Sequence, residues 1–395
     1  MTPNKTELWD VSVVPCENYE TETVRTALSA ALDAVGGLDW VTPGMKIAVK
    51  PNLVSAMKPD TAAVTHPTLI VELTKMLVSR GAEVMIGDSP GGLYTLSHLE
   101  RVYSASGLLE AEKFGAKLNR DISQTAVSFP EARAAKSFNC IDFLLDADAV
   151  IDVCKLKTHG LMNLSCACKN MFGAVPGVEK AEYHYRFPDP SDFARMLVDL
   201  CDYIRPVLSI CDAIEGMEGN GPTAGTPRHI GAILASPSPH KLDYVAAGLI
   251  GLKTEQVPTL GAAIERGYIS DSPESIKVFG DPKKFYIPDY RLILTDNSFI
   301  FRERASGPIR TLTSTLMQKV LRSRPKVRSG CIGCGKCAEV CPAKAIKIKD
   351  RLAVIDRSAC ICCFCCQEFC PVGAMQVHRS FIAKMVSGKN HRKKS

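Results

Sequence analysis

The chain has no run of about 18 apolar residues, the length that a membrane-spanning helix needs, although 46% of its 395 residues are hydrophobic. No membrane span is therefore expected. Its first residues, MTPNKTELWDVSVV, hold neither a charged segment leading into an apolar one nor a small-residue cleavage site, so a cytoplasmic location is expected. No Gly-x-Gly-x-x-Gly follows an expected strand, and the phosphate-cradling Gly-x-x-x-x-Gly-Lys-Ser/Thr pattern does not occur. Nucleotide and flavin binding thus lack a motif. Acidic residues are scarce at one end. From Pro325 to Ser395 there are 14 Lys and Arg against 4 Asp and Glu, or +10, leaving 34 against 38, or −4, for the rest. The basic tail, KNHRKKS, has no aromatic residues interleaved with its charges, which argues against a nucleic-acid partner and for a solvated end.

What the chain has in excess is cysteine, 17 in all. Without a secretory leader such a number points to a reducing compartment and to metal-bound thiolates rather than persistent disulfides. Eight of them form two copies of one pattern: Cys331, Cys334, Cys337, Cys341-Pro342 and Cys360, Cys363, Cys366, Cys370-Pro371, each member of the second set 29 residues after its counterpart. This spacing brings three thiolates to one iron-sulfur cube and sends the fourth, before proline, to the other cube. Two [4Fe-4S] clusters are the expected cofactors. Cys331, Cys334, Cys337 and Cys370 would hold the first, and Cys360, Cys363, Cys366 and Cys341 the second. A disulfide framework or two zinc sites are the alternatives, but a tetrahedral zinc site has no use for the third cysteine of each run or for the Cys-Pro ending. Part of the local positive charge would offset the clusters, each about −2 with its thiolates.

The stretch resembles the bacterial two-cluster ferredoxins. Between its repeats, AIKIKDRLAVID (345–356) alternates apolar and polar residues around Lys349-Asp350-Arg351, as a hairpin does. Cys362 and Cys365 depart from the family pattern by adding thiols within the second loop. They leave a second ligand register open there.

The first 300 residues alternate short apolar runs with helical patterns. Asp10–Cys16, Lys46–Asn52, Ala82–Asp88, Ala147–Cys154, Val207–Asp212 and Ile230–Ser236 read as buried strands, and Glu20–Val35, Pro67–Arg80, Ser191–Ile204 and His240–Leu252 as helices. The expected fold is α/β, a layered and largely parallel sheet over residues 1–300, followed by a small α+β two-cluster ferredoxin-like domain over 329–380. Residues 301–328 read as a linker with an amphipathic helix at 309–321, and 381–395 as a basic tail. A last strand is expected at RLILT, 291–295.

Several strands end on polar residues, among them Asn52, Asp88, Lys155 with Lys157, and Asp212. Ligands collect at the carboxyl ends of strands in open α/β sheets, so these residues are expected to converge on one crevice. The densest polar segment, Cys154 to Tyr185, carries Lys155, Lys157, His159, Asn163, Lys169, Asn170, Lys180 and His184, with too few acids to neutralise its lysines. Such a crevice attracts a carboxylate or phosphate. His159, Lys157, Lys155, His184, Asp88 and Asp212 are therefore the candidate catalytic residues. Asn163–Phe172 has helical spacing, and its start is expected to offer free N–H groups to the anion. Cys166 and Cys168 project differently on a helix and read as core or near-site thiols.

The stretches KPNLV (50–54) with THP (65–67), GDSPGG (87–92), KLKTHGL (155–161) with CKNMFGAVPG (168–177), and DAIEGMEGNGPTAG (212–225) with LDYVAAGLIG (242–251) resemble the domain-of-unknown-function 362 family. Members often carry a C-terminal ferredoxin module. The resemblance implies no catalytic assignment, and it marks the same residues as the crevice. Two functions fit. In one, the clusters pass electrons between a soluble electron donor or acceptor and an acidic small-molecule substrate held in the α/β domain. In the other, the α/β domain is a docking module and the protein is an electron carrier or assembly component.

Overall fold

The structure is a computed structural model that describes residues 8–270, 275–294 and 323–378. Its strands in chain order are β1 (Val11–Pro15), β2 (Lys46–Pro51), β3 (Glu83–Ile86), β4 (Lys117–Leu118), β5 (Gln124–Ser128), β6 (Ser137–Ile141), β7 (Ala149–His159), β8 (Asn163–Ser165), β9 (Leu208–Glu218), β10 (Thr226–Ser236), β11 (Val278–Phe279), β12 (Arg324–Val327), β13 (Ile346–Lys349), β14 (Leu352–Ile355) and β15 (Met375–His378). One nine-stranded sheet runs β11-β1-β10-β9-β7-β2-β3-β4, with β8 paired to the end of β7. The half from β9 to β4 is parallel, and β10 joins it to β1 by antiparallel pairing on both sides.

The near-continuous apolar strands arise because both faces are covered. Ile47, Val49, Ile151 and Val153 face one core with Leu28 of the helix Thr21–Ala34 and Leu69 and Leu73 of Pro67–Val78. Cys154, Leu156 and Cys211 face another with Leu242 and Ala246 of Pro239–Leu249. Proline opens four of the helices, where its missing N–H and fixed φ cost nothing, and Asp189 and Ser238 cap two of them.

Three strands run longer than their apolar cores. β7 extends past Cys154 to His159, β9 past Asp212 to Glu218, and β10 begins at Thr226 rather than Ile230. The polar residues beyond each core remain in the ladder, with Thr226 opposite Glu218 and Lys157 opposite Ser165. Residues 163–172 do not form the expected single helix. The chain reverses to pair with β7 as β8, with Asn163 at a left-handed φ of 63°. One helical turn, Ala167–Asn170, and a 3-10 turn, Met171–Ala174, follow. The N–H groups of Ala167 and Cys168 donate to Asp243 at 2.6 and 3.1 Å. A carboxylate of the chain itself thus takes the place expected for an anion. Residues 291–294 are not in a strand; Arg291 instead donates from its backbone and Nε to Glu218 at 3.0 and 2.7 Å. The expected helix at 309–321 and the basic tail lie outside the described residues.

The cysteine-rich module is tied by β12 to β15 and by the hairpin β13–β14, whose turn residues Asp350 and Arg351 have φ of 48° and 58°. Because β12 starts at Arg324 and pairs with the module's last strand, the unit begins before residue 329. Its two halves repeat in the backbone. Positive φ at Gly333, Gly335 and Lys344 recurs 29 residues later at Cys362, Phe364 and Gly373, and the turn Lys336–Glu339 recurs as Cys365–Glu368.

Candidate active site between the two modules

A cavity of about 390 Å³ lies where the cysteine-rich module meets the carboxyl ends of the central strands. The α/β domain contributes Asn52, Asp88, Lys157, His159, Lys169, Lys180 and His184, and the other module Cys341, Cys365, Glu368 and Phe369. Close approach is built into the sequence. A side chain at Gly91 would enter the Phe369 ring, and Gln367 Nε2 donates to Gly221 O at 2.7 Å and Asn220 O at 3.0 Å. Phe364 is buried in the same core as Phe172 and Phe193.

Lys157 is fully buried. Its ammonium donates to Asn52 Oδ1 and Ala63 O, each at 2.7 Å, which leaves its third proton unassigned. Behind it Asn52 Nδ2 donates to Asn170 Oδ1 at 2.9 Å, and Asn170 Nδ2 to Asp152 Oδ1 at 2.7 Å. Burial, then the Lys169 and Lys155 charges, pull the Lys157 pKa down to about 7. Lys180 donates to Ser89 O, Ser89 Oγ and Val175 O, and burial likewise brings it to about 7. Lys169, lowered by burial, has only the Phe172 ring, 5.2 Å away, against its ammonium among the described residues.

His159 is fixed in one tautomer by its surroundings. Its Nδ1 accepts from the N–H groups of Leu161 and Met162 at 3.0 and 3.1 Å, so the ring proton sits on Nε2, which faces Glu368 Oε1 at 2.8 Å. Burial, reinforced by Lys169, lowers the ring's pKa from the ordinary imidazole value, against the pull of Glu368. Burial alone would raise Glu368, but His159, which faces it, and the Lys169 ammonium hold its carboxyl well below the usual range. His184 is stacked on Phe193 at 4.3 Å, brought down to about 3 by burial, and its Nδ1 has no hydrogen-bond partner among the described residues. Asp88 closes the far wall, paired with Lys50 at 2.8 Å and accepting from Leu53 N at 2.8 Å.

The cysteines of the other module lie in two groups. Burial raises the Cys337 thiol, and Cys331, Cys334 and Cys370 add to the rise. Around Cys366, likewise raised by burial, stand Cys363, Cys360, Cys341 and Cys337. Cys370 thus stands beside the first run's cysteines and Cys341 beside the second's, an arrangement that fits iron-sulfur ligation. Cys362 takes the left-handed position of Gly333, and Cys365 the helix start of Lys336. Both extra thiols occupy positions that hold no cysteine in the first run.

Residues 47–248 match a family described as a domain of unknown function, DUF362, and residues 326–347 match a 4Fe-4S binding domain. A thylakoid-associated protein of Synechocystis sp. is 30% identical over 290 residues, 71% of this chain and 87% of the relative. This chain belongs to the DUF362 family. It is an iron-sulfur member, with a 4Fe-4S binding domain behind the DUF362 region. Among solved structures, the lactate racemase apoprotein of Thermoanaerobacterium thermosaccharolyticum shares 12% identity at a TM-score of 0.36, over 60% of this chain and 56% of that one. A protein of Thermotoga maritima shares 13% at 0.33, over 53% of each chain. The chain thus spans little more than half the length of either.

The DUF362 motifs meet in space, but not all at one place. Asp88, Lys157, His159 and His184 line the cavity. Lys155 and Asp212 do not; they pair at 3.0 Å with the Tyr19 hydroxyl, 2.7 Å from Lys155 Nζ and 2.8 Å from Asp212, under the stacked Tyr19 and His66 rings. Lys155 stands two residues before Lys157 on the same strand face, but it reaches the other way. Lys169 and Lys180 belong to the dense polar segment. Glu368 was missed, because it comes from the ferredoxin-like stretch. The signal available for it is its position 29 residues after Glu339. No helix among the described residues is long and apolar enough to cross a membrane.

Proposed function

We propose that the protein is an oxidoreductase whose clusters exchange electrons with an anionic small molecule bound in the cavity between the modules. The observation that carries this reading is the shared lining of that cavity, lysine-rich on the DUF362 side and bearing Cys341, Cys365 and Glu368 on the other. Two [4Fe-4S] clusters, on Cys331, Cys334, Cys337 and Cys370 and on Cys360, Cys363, Cys366 and Cys341, supply single-electron chemistry when bound. The chain's own groups do the rest. Lys169 and the free proton of Lys157 bind the anion, and Glu368, already beside His159, is a carboxylate in the place that an acidic substrate would share or take. With pKa values near 7, Lys157 and Lys180 are suited to give and take protons at neutral pH. His159 acts as a positioning residue that holds Glu368 and closes the joint.

Anaerobic purification followed by mass spectrometry of the small molecules retained tests this. An acidic molecule held by the wild type and lost from Lys169→Met is the expected result. If acidic molecules are absent from both proteins, the carrier reading replaces this one.

A further inference from the structure

On the sheet face opposite Val153 and Lys157, three thiols from three segments meet. Cys154 on β7 and Cys211 on β9 are register partners, and Cys166, just after β8, reaches both. Its Sγ lies 3.5 Å from that of Cys154 and 3.6 Å from that of Cys211. All three sulfurs lie within 4.8 Å of one another, and each residue is at most 1% exposed. The trio belongs to neither cysteine run, and nothing in the function proposed above uses it.

We propose that Cys154, Cys166 and Cys211 form a three-sulfur site for a soft d10 metal ion, Cu(I) or Zn(II). Thiolates around a zinc-sized ion at about 2.3 Å stand roughly 3.8 Å apart, close to the 3.5 and 3.6 Å that separate Cys166 Sγ from the other two sulfurs. The scaffold is rigid. Two ligands sit on central strands, and Asp243, from another element, pins the turn that aims the third by accepting from Ala167 N and Cys168 N. Such outer support orients metal ligands. The core around the trio, with Leu156, Ala213, Ala232 and Leu242, is apolar and buried apart from the Asp243 carboxylate beside Cys166, and the three sulfur donors favour a soft ion. Binding replaces thiol protons by the ion's charge, and the protons leave to solvent. The plain alternative is that these cysteines are only small hydrophobic residues in a core.

The experiment is anaerobic titration of the cluster-loaded protein with Cu(I) and, separately, Zn(II), followed by desalting and counting of metal and iron per chain. About one retained ion is expected with iron unchanged, a site of this kind binding tightly. Cys211→Ser and Cys166→Ala should each weaken retention at least tenfold, while Cys201→Ser, a buried cysteine outside the trio, should retain the ion. Absence of any ion beyond iron, or equal retention by Cys166→Ala, overturns the proposal. Should Cys211→Ser fail to fold, as a fall in its iron would reveal, Cys166→Ala, on a turn rather than a central strand, decides.

Discussion

Lys157 shows how burial sets both the strength and the pH range of the site. Two fixed acceptors hold its ammonium at 2.7 Å, and desolvation with two nearby lysines brings its pKa to about 7. Below that value it is a cation in a dry wall; above it the charge is lost. Affinity for an anion should therefore fall as pH rises through about 7, and Lys157→Met should flatten that dependence, leaving the part carried by Lys180, which also titrates near 7. A charge-assisted contact is worth roughly 1.5–3 kcal/mol, so the substitution should weaken binding about ten- to hundredfold at pH 6 and much less at pH 8. Binding of the retained anion, measured across pH, checks this; an unchanged profile in Lys157→Met would remove the residue from the site. The same shift has a stability sign. The unfolded chain keeps this proton up to about 10.4 while the folded one releases it near 7, so stability should rise with pH between those values. The lysines were legible in the sequence from their number and lack of acids. The separation of Lys155 from Lys157 was not, because it depends on Tyr19 and Asp212, residues far apart in sequence.

At the scale of elements, apolar runs marked the strands well because parallel strands covered on both faces have little else in them. What they concealed is length. β7, β9 and β10 continue through Lys157, Glu218 and Thr226, since a polar residue stays in a ladder when its side chain finds a partner, as the buried Glu218 does in the exposed Arg291. The 163–172 segment misled for a related reason: its helical spacing is broken by pairing with β7, a tertiary contact that local pattern does not encode. The short 3-10 turn that follows fits beneath the strand ends only because residue 173 is glycine. A Cβ there would collide with Asp88 Oδ1 and with the Lys50 ammonium, whose pair is almost wholly buried. Gly173→Ala should therefore displace one partner, and breaking a buried pair costs about 3–5 kcal/mol. Anaerobic denaturant unfolding reads the loss. Wild-type stability in this variant would mean that the turn moves aside without disturbing the pair.

Across the whole molecule, the ferredoxin-like pattern and the DUF362 motifs were each readable alone, and their joint was not. Glu368 faces His159, and Gly91 gives room to Phe369; such contacts between distant stretches leave no local pattern. The joint gives the two cysteine groups different positions. Cys341 lines the cavity, whereas Cys334 is exposed to solvent. Electrons from a soluble donor would then be taken up at the group of Cys331, Cys334, Cys337 and Cys370, and reach the cavity through the group of Cys360, Cys363, Cys366 and Cys341. Two cubanes hold about eight irons, and loss of either should leave about four. Cys341→Ala should lose the cavity-side cluster, although the residue lies in the first run. It should still accept an electron from a donor but pass none to the bound anion. Cys334→Ala should do the reverse: chemically reduced protein should be reoxidised by the anion at near the wild-type rate, while reduction by a protein donor slows at least tenfold. Anaerobic iron counts with rapid-mixing absorbance of the clusters in both directions measure all four quantities. If Cys341→Ala instead leaves reoxidation intact and loses donor reduction, then the order of the clusters is reversed and the cavity does not lie at the end of the electron path.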